Sequence, residues 1–324
     1  MVRTQDEAKI GQAITADATA AVVVADLRKA YGATRAVDGL SFTVAPGEVF
    51  ALLGPNGAGK TTTIEILEGY RAPDSGSVRV LDRDPIRDAR QLKLRMGVML
   101  QADGVQPMLT PREVLRLYAD FFPDPLDAEA LLDRVGLREA ARTRCRRLSG
   151  GQKRRLALAL AIIGRPALVF LDEPTTGMDP QARLATWEIV RELRAGGTTI
   201  ILTTHLLDEA ERLADRVAII DRGRLVTVGT PQELTGGSEL GLVRLLAAPG
   251  LPLAALAALP GVRTAREAER GNYAIEAEPA EVAVALAAIT IWLRDYGVTL
   301  RELRVGHGSL EELFLRLTGR EERP

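Results

Sequence analysis

"VFALLGPNGAGKT", residues 49–61, joins two kinds of sequence with opposite demands. An apolar run, read as a strand, ends at Gly54, and a helix is expected near 60–70. Between them lies a loop of the form G-x-x-x-x-G-K-[ST], the pattern of a phosphate-binding loop. Gly54, Gly57 and Gly59 let backbone N–H groups curl around phosphate oxygens. Lys60 reaches the β- and γ-phosphates, Thr61 offers its hydroxyl to Mg²⁺, and the helix N-terminus adds a favourable dipole. A glycine-rich turn without a ligand is the alternative. The strand before the loop and the helix after it favour the phosphate reading.

Composition bounds the rest. The chain has 324 residues with 46% apolar content, enough for a large core or two domains. A net charge of −1 gives no general electrostatic case for nucleic acid. Lysines are few (Lys9, Lys29, Lys60, Lys93 and Lys153), which makes one inside a glycine loop informative. The single cysteine, Cys145, excludes an internal disulfide and a multi-cysteine zinc site, and fits a reducing cytoplasm. Residues 1–20 are polar, lack a signal-peptide apolar block and are expected to form a disordered tail. The longest apolar stretch, near 282–293, is too short to span a bilayer, so the chain is not expected to be integral to a membrane.

Strand and helix patterns alternate through "ALVFLDEP" (167–174), a helix over 180–195, "TTIILTTH" (198–205), a helix over 206–215, and two short strands. Alternation of this kind predicts βαβ units and a mainly parallel sheet. Residues 103–165 read as a helical insertion, beginning with Thr110, Pro111 and Glu113 in a capping box. A second pattern restarts beyond 236, after Gly236, Gly237 and Ser238. It predicts a small α+β domain over 238–324 with a hairpin at Gly271 and Asn272.

Two more motifs carry chemistry. "LVFLDEP" (168–174) is an apolar strand ending in two acids. Asp172 can hold Mg²⁺ through its water shell and Glu173 can polarise an attacking water, against the alternative of a solvated strand end. "LSGGQ" (148–152) puts Ser149, Gly150 and Gly151 at the start of an arginine-laced helix, where glycine costs about 1 kcal/mol relative to alanine. Arg154 and Arg155 beyond it read as a solvated face.

With these motifs the chain resembles the ATP-binding subunits of ABC transporters over residues 22–235. The matching positions run in order: Tyr31 in "AYG", the phosphate loop, Gln101 in "VMLQ", LSGGQ, LDEP, "TGMDP" (176–180), and "TTH" ending at His205. Met178 stands where the family most often has leucine. The tail "SLEELFLRLTG" (309–319) and the extra domain resemble daunorubicin- and multidrug-type exporters.

The resemblance implies a P-loop NTPase fold of α/β class. Its core is a mainly parallel sheet with an antiparallel β subdomain and the helical insertion over 21–235, and the accessory α+β domain follows. It implies ATP and Mg²⁺ as cofactors. Nucleotide would be held by Gly54, Pro55, Asn56, Gly57, Ala58, Gly59, Lys60, Thr61 and Thr62, with Tyr31 stacked on adenine. In this family two units pair head to tail, so Ser149, Gly150, Gly151 and Gln152 of one would cap the γ-phosphate of the other, and Asp179 would tie the units together. Glu173, His205, Gln101 and Lys60 would be catalytic, with Thr61, Gln101 and Asp172 around the metal. His307 matches no catalytic motif.

The function so implied is energy coupling by ATP hydrolysis, for export of drugs or other hydrophobic compounds through a separately encoded membrane permease. The chain would sit peripherally on the cytoplasmic face of the cell membrane, with no nucleic-acid partner. The alternative is a soluble ABC ATPase acting on ribosomes or DNA. It fits less well, because translation-type relatives usually carry two motif sets and DNA-repair types insert long coiled coils, absent from 61–147. A P-loop kinase would leave LSGGQ unexplained.

Overall fold

The computed structural model describes residues 20–99, 106–235, 241–306 and 310–318. The chain forms two compact units that divide between Thr230 and Pro231. Gln101, His307, residues 1–19 of the expected tail and the expected linker 236–238 lie outside the described residues. Ala20, the last residue of that tail, is buried.

The first unit opens with an antiparallel pair, β1 (Val22–Tyr31) and β2 (Thr34–Val44), followed by β3 (Val49–Leu53) and α1 (Lys60–Leu67). Next come β4 (Ser75–Val80), α2 (Ala89–Leu92) and β5 (Met96–Met99). The helical insertion supplies α3 (Pro111–Ala119), α4 (Ala128–Arg134) and α5 (Gly150–Ile162). The unit then runs β6 (Leu168–Asp172), α6 (Pro180–Ala195), β7 (Thr199–Thr204), α7 (Leu207–Leu213), β8 (Arg216–Asp221) and β9 (Arg224–Gly229).

A six-stranded sheet in the order β5-β6-β7-β3-β8-β9 carries the unit. Its first five strands are parallel and β9 closes the edge antiparallel. All residues of β3, β6 and β7 are buried, which is why these strands are apolar apart from Asp172, Thr199, Thr203 and Thr204. The smaller sheet, β2-β1-β4, is antiparallel. It packs on the larger one through Val22, Val24, Leu40 and Phe42, with the Phe42 ring stacked on Phe50 at 5.1 Å. The mainly parallel sheet, the antiparallel β subdomain and the helical insertion are all present.

Sequence patterning missed β5. It is four residues long, and Gly97 interrupts its apolar character. Packing explains the glycine: a Cβ there would lie 1.9 Å from the Ala161 carbonyl oxygen of α5. The expected capping box is formed, with Glu113 N–H donating to the Thr110 hydroxyl at 3.3 Å and Thr110 N–H to the Glu113 carboxylate at 2.8 Å.

The second unit begins with α8 (Pro231–Leu234) and β10 (Gly241–Leu246), then α9 (Leu253–Ala257), β11 (Val262–Glu269) and β12 (Asn272–Ala277). It ends with α10 (Val282–Asp295), β13 (Glu302–Gly306) and α11 (Leu310–Thr318). The four strands form an antiparallel sheet, β11-β12-β10-β13, with the hairpin at Gly271 and Asn272. Val243, Leu245, Tyr273 and Ile275 bury one sheet face against Leu256, Ile289 and Trp292 of α9 and α10. α11 packs on α8, with Leu310 fully buried and Leu317 exposed.

Replacing Gly97 tests the seating of α5 on β5. Gly97→Ala is expected to lower the unfolding free energy by about 1–3 kcal/mol, because α5 must back away from the strand. Urea unfolding measures it, and an unchanged midpoint would mean that α5 does not press on this backbone.

Candidate nucleotide site

The parallel sheet brings three motifs together at one edge. Leu53 pairs with Thr204 and Asp172 pairs with Thr203, so β3, β6 and β7 end side by side. Their C-terminal extensions are the glycine loop, Asp172 with Glu173, and His205. Ligands of open α/β sheets bind outside this edge.

Lys60, the first residue of α1, folds back over the loop and donates to the carbonyl oxygens of Gly54 at 2.6 Å and Pro55 at 3.2 Å. Gly59 caps the helix with φ of 101°, and a Cβ there would meet the Ala36 carbonyl oxygen at 2.3 Å. A side chain is therefore excluded twice. Burial pulls the Lys60 ammonium below the usual lysine range, and the Glu173 and Asp172 carboxylates push it back up.

Asp172 is buried at the end of β6. Burial raises its pKa, and a hydrogen bond from the Thr203 hydroxyl opposes that rise. Glu173 has φ of 48°, a left-handed conformation that a non-glycine residue adopts only when its surroundings hold it. They do. Its N–H donates to the Thr203 carbonyl oxygen at 3.0 Å, and its Oε2 accepts from the Thr176 hydroxyl at 3.1 Å. Its Oε1 lies 3.1 Å from His205 Nδ1. The sequence predicted separate roles for Glu173 and His205; the structure pairs them directly.

Tyr31 ends β1 and is 42% exposed, with the Arg71 guanidinium 5.1 Å from its ring centre. Thr61 and Asn56 are exposed, Thr62 is half-buried, and Ala58 is packed in the core. Asp179 caps α6, accepting from Ala182 N–H at 2.9 Å, and this and further backbone hydrogen bonds hold its carboxyl below the usual range.

Ser149 caps α5. Gln152 N–H donates to its hydroxyl at 3.2 Å, and Ser149 N–H donates to the Gln152 side-chain oxygen at 2.9 Å. The glycines between them are unexplained by the unit's own packing: a Cβ on Gly150 or Gly151 would meet nothing within 4 Å.

The solvated-face reading of Arg154 and Arg155 is corrected. Arg155 donates to the carbonyl oxygens of Val135 and Gly136 beyond α4, and Nη1 of Arg154 is buried, its charge helping to offset the burial of Asp172. Sequence reasoning also passed over Glu68, the C-cap of α1. Its carboxyl is buried and pushed up to about 8, with Asp172 and Glu65 adding to the effect of burial. Nothing in "ILEGY" (66–70) marks that residue as buried. Among the described residues no helix is long and apolar enough to cross a membrane.

A phosphate loop, a strand-end acid pair and a histidine on a parallel sheet define a P-loop nucleoside triphosphatase. The ABC transporter family model matches residues 37–176. The daunorubicin resistance ATP-binding protein DrrA3 of Streptomyces coeruleorubidus is 38% identical over 314 residues, covering 94% of this chain and 98% of the relative. The Nod factor export ATP-binding protein I of Paraburkholderia xenovorans is 41% identical over 312 residues, covering 93% and 98%. A solved ATP-binding subunit of an ABC transporter superposes with a TM-score of 0.62 at 30% identity, over 67% of this chain and 92% of that one. A cassette solved as a dimer in a post-hydrolysis state with ADP and Pi gives 0.60 at 23% identity over 64% and 98%, a likeness of fold. The chain belongs to the ATP-binding proteins of the ABC transporter family, and it is an ATPase.

Glu68 gives the unit a pH signature. Between about pH 4.5 and 8 the folded state keeps a proton that the unfolded chain has lost, so stability falls as pH rises through that window. Each pH unit of displacement is worth about 1.4 kcal/mol, and the loss reaches a few kcal/mol. Glu68→Gln should remove it, so that thermal melts of variant and wild type coincide near pH 5 more closely than near pH 8. A constant gap would show that Glu68 does not hold the proton.

Proposed function

We propose that this chain is the energy-coupling ATPase of an exporter for drug-like or other hydrophobic compounds. It works as a head-to-tail dimer docked on a separately encoded permease at the cytoplasmic face of the cell membrane. The observation that carries this reading is the start of α5. Ser149, Gly150 and Gly151 present a capped helix N-terminus whose glycines answer no demand within the chain's own unit. A phosphate held by a second copy fits a bare backbone at a helix N-terminus. The drug-resistance and export names of the relatives support the direction of transport.

In this reading Lys60 exchanges the Gly54 and Pro55 carbonyls for the β- and γ-phosphates, and Tyr31 offers its exposed ring to adenine. Loop N–H groups over residues 54–62 wrap the phosphates. The Thr61 hydroxyl and the Asp172 carboxylate suit a hard divalent cation that takes its other oxygens from phosphate and water, with Gln101 expected beside them. Mg²⁺ bound there would neutralise charge developing on the phosphate oxygens. Glu173, held by His205 and Thr176, takes the proton of the attacking water. Asp179, at the N-terminus of α6, lies within reach of a facing copy in the family's arrangement.

The permease contact is proposed for the outer side of the helical insertion. Phe121 is 65% exposed, with Leu117 and Met108 also open. Tyr118 stacks edge-on against Phe121. An apolar segment of the permease would cover this group.

Gly151→Ala separates fold from dimer chemistry. The variant should melt no lower than wild type, since alanine favours a helix by up to about 1 kcal/mol, and it should bind ATP in its own loop. Its turnover should fall by about tenfold or more as the facing phosphate is displaced. Wild-type turnover would remove LSGGQ from the site.

Phe121→Asp tests the permease contact. ATP affinity should hold, while co-purification with the co-expressed permease and transport of a hydrophobic dye should be lost. Retained co-purification and transport would place the contact elsewhere.

A further inference from the structure

Glu209 lies on α7, four residues after His205, and is fully buried. Its Oε1 accepts two hydrogen bonds, from the Thr175 hydroxyl at 2.8 Å and from the Trp187 indole N–H at 3.1 Å. Its Oε2 is buried with no hydrogen-bond partner among the described residues. A carboxylate is an expensive way to fill such a space, and leucine or methionine would pack there without a bare oxygen. What the acid adds is one acceptor on α7 shared by the loop after β6 and helix α6, 34 and 22 residues earlier in the chain.

That loop carries the site. Thr176, next to Thr175, holds Oε2 of Glu173, whose Oε1 meets His205. Met178 N–H donates to the Thr175 carbonyl oxygen at 3.1 Å, which fixes the turn leading to Asp179. α7 leaves the His205 end of β7 and returns, through Glu209, to Thr175. The contacts form a closed ring: Glu173, Thr176 with Thr175, Glu209, α7, His205 and Glu173 again.

We propose that Glu209 is a positioning residue for ATP hydrolysis. By anchoring Thr175 it keeps the 174–179 loop in register with His205, and so aims Glu173 at the water. This rests on the proposed role of Glu173 as base. Glu209 touches no reacting atom, and its effect passes through Thr175.

The experiment compares steady-state ATPase kinetics and thermal melts of full-length Thr175→Val, Glu209→Gln, Glu209→Leu, Trp187→Phe and Glu173→Gln. Thr175→Val keeps the side-chain shape and loses only the donor. Its kcat should fall about ten- to a hundredfold with KM for ATP nearly unchanged, as expected when a base is misaimed. Glu209→Leu should match it, while Glu209→Gln, which keeps an oxygen acceptor for both donors, should run near the wild-type rate. Trp187→Phe should lower the melting temperature and spare kcat, because the loop keeps its tether.

Wild-type kcat in Thr175→Val overturns the proposal even where Glu209→Leu fails to fold. So does a Trp187→Phe loss of kcat as large as that of Thr175→Val, which would make the contact merely structural. Glu173→Gln distinguishes the two readings: retained turnover there removes Glu173 as the base, whatever Glu209 does.

Discussion

Thr203 is the residue on which the site depends. It lies fully buried in β7, paired with Leu52 of β3 on one side and Asp172 of β6 on the other. Its hydroxyl donates to the Asp172 carboxylate, and its carbonyl oxygen takes the N–H of Glu173. One threonine therefore orients the first acid and captures the backbone of the second as the chain leaves the sheet. The left-handed turn at Glu173 follows from that capture, since the chain must reverse sharply to bring the next carboxylate back towards His205. Parallel pairing makes this possible. It aligns strand ends, so residues more than a hundred positions apart meet at a common edge.

The same edge concentrates charge in a dry place. Lys60 and Asp172 are both buried, and each shifts in the direction that burial dictates for its charge type. Each also moderates the other. Arg154 adds a further positive charge from the helical insertion, and Glu68 stands behind as a protonated acid. Lys60 is held by backbone carbonyls rather than by a carboxylate, so in its proposed role it has only neutral acceptors to give up to a phosphate. A direct ion pair with Asp172 would compete more strongly with a ligand.

Some of this could be read directly from the sequence. The glycine loop, the acid pair after an apolar strand and the Thr110 capping box are local patterns, and local patterns survive in one dimension. The residues missed or misread share the opposite property. Gly97 is a glycine because α5, some sixty residues later in the chain, presses against it. Glu68, Arg154 and Glu209 are acids and a base whose meaning comes from what folds over them, and each sits among helix-forming neighbours that give no sign of burial. The second unit is legible in its strands and hairpin, because Gly271 and Asn272 mark a turn between two strand-forming runs. The arrangement of the nucleotide-binding residues beyond the motif itself is a tertiary fact.

The start of α5 shows how one short stretch meets two requirements at once. Two glycines weaken a helix where it begins, and the capping box of Ser149 and Gln152 offsets that with about 1 kcal/mol of its own. The box satisfies the N–H of Gln152 and of Ser149. It leaves the N–H groups of Gly150 and Gly151 outside the helix's own hydrogen-bond ladder, as the first turn of any helix must. With no side chain on either glycine, those two donors lie at the positive end of the helix dipole. A serine hydroxyl engaged only by a backbone N–H keeps its own proton free to donate. Capping chemistry that stabilises the helix thus also suits an anion, and the proposed phosphate of a second chain would account for the glycines, which the fold does not require.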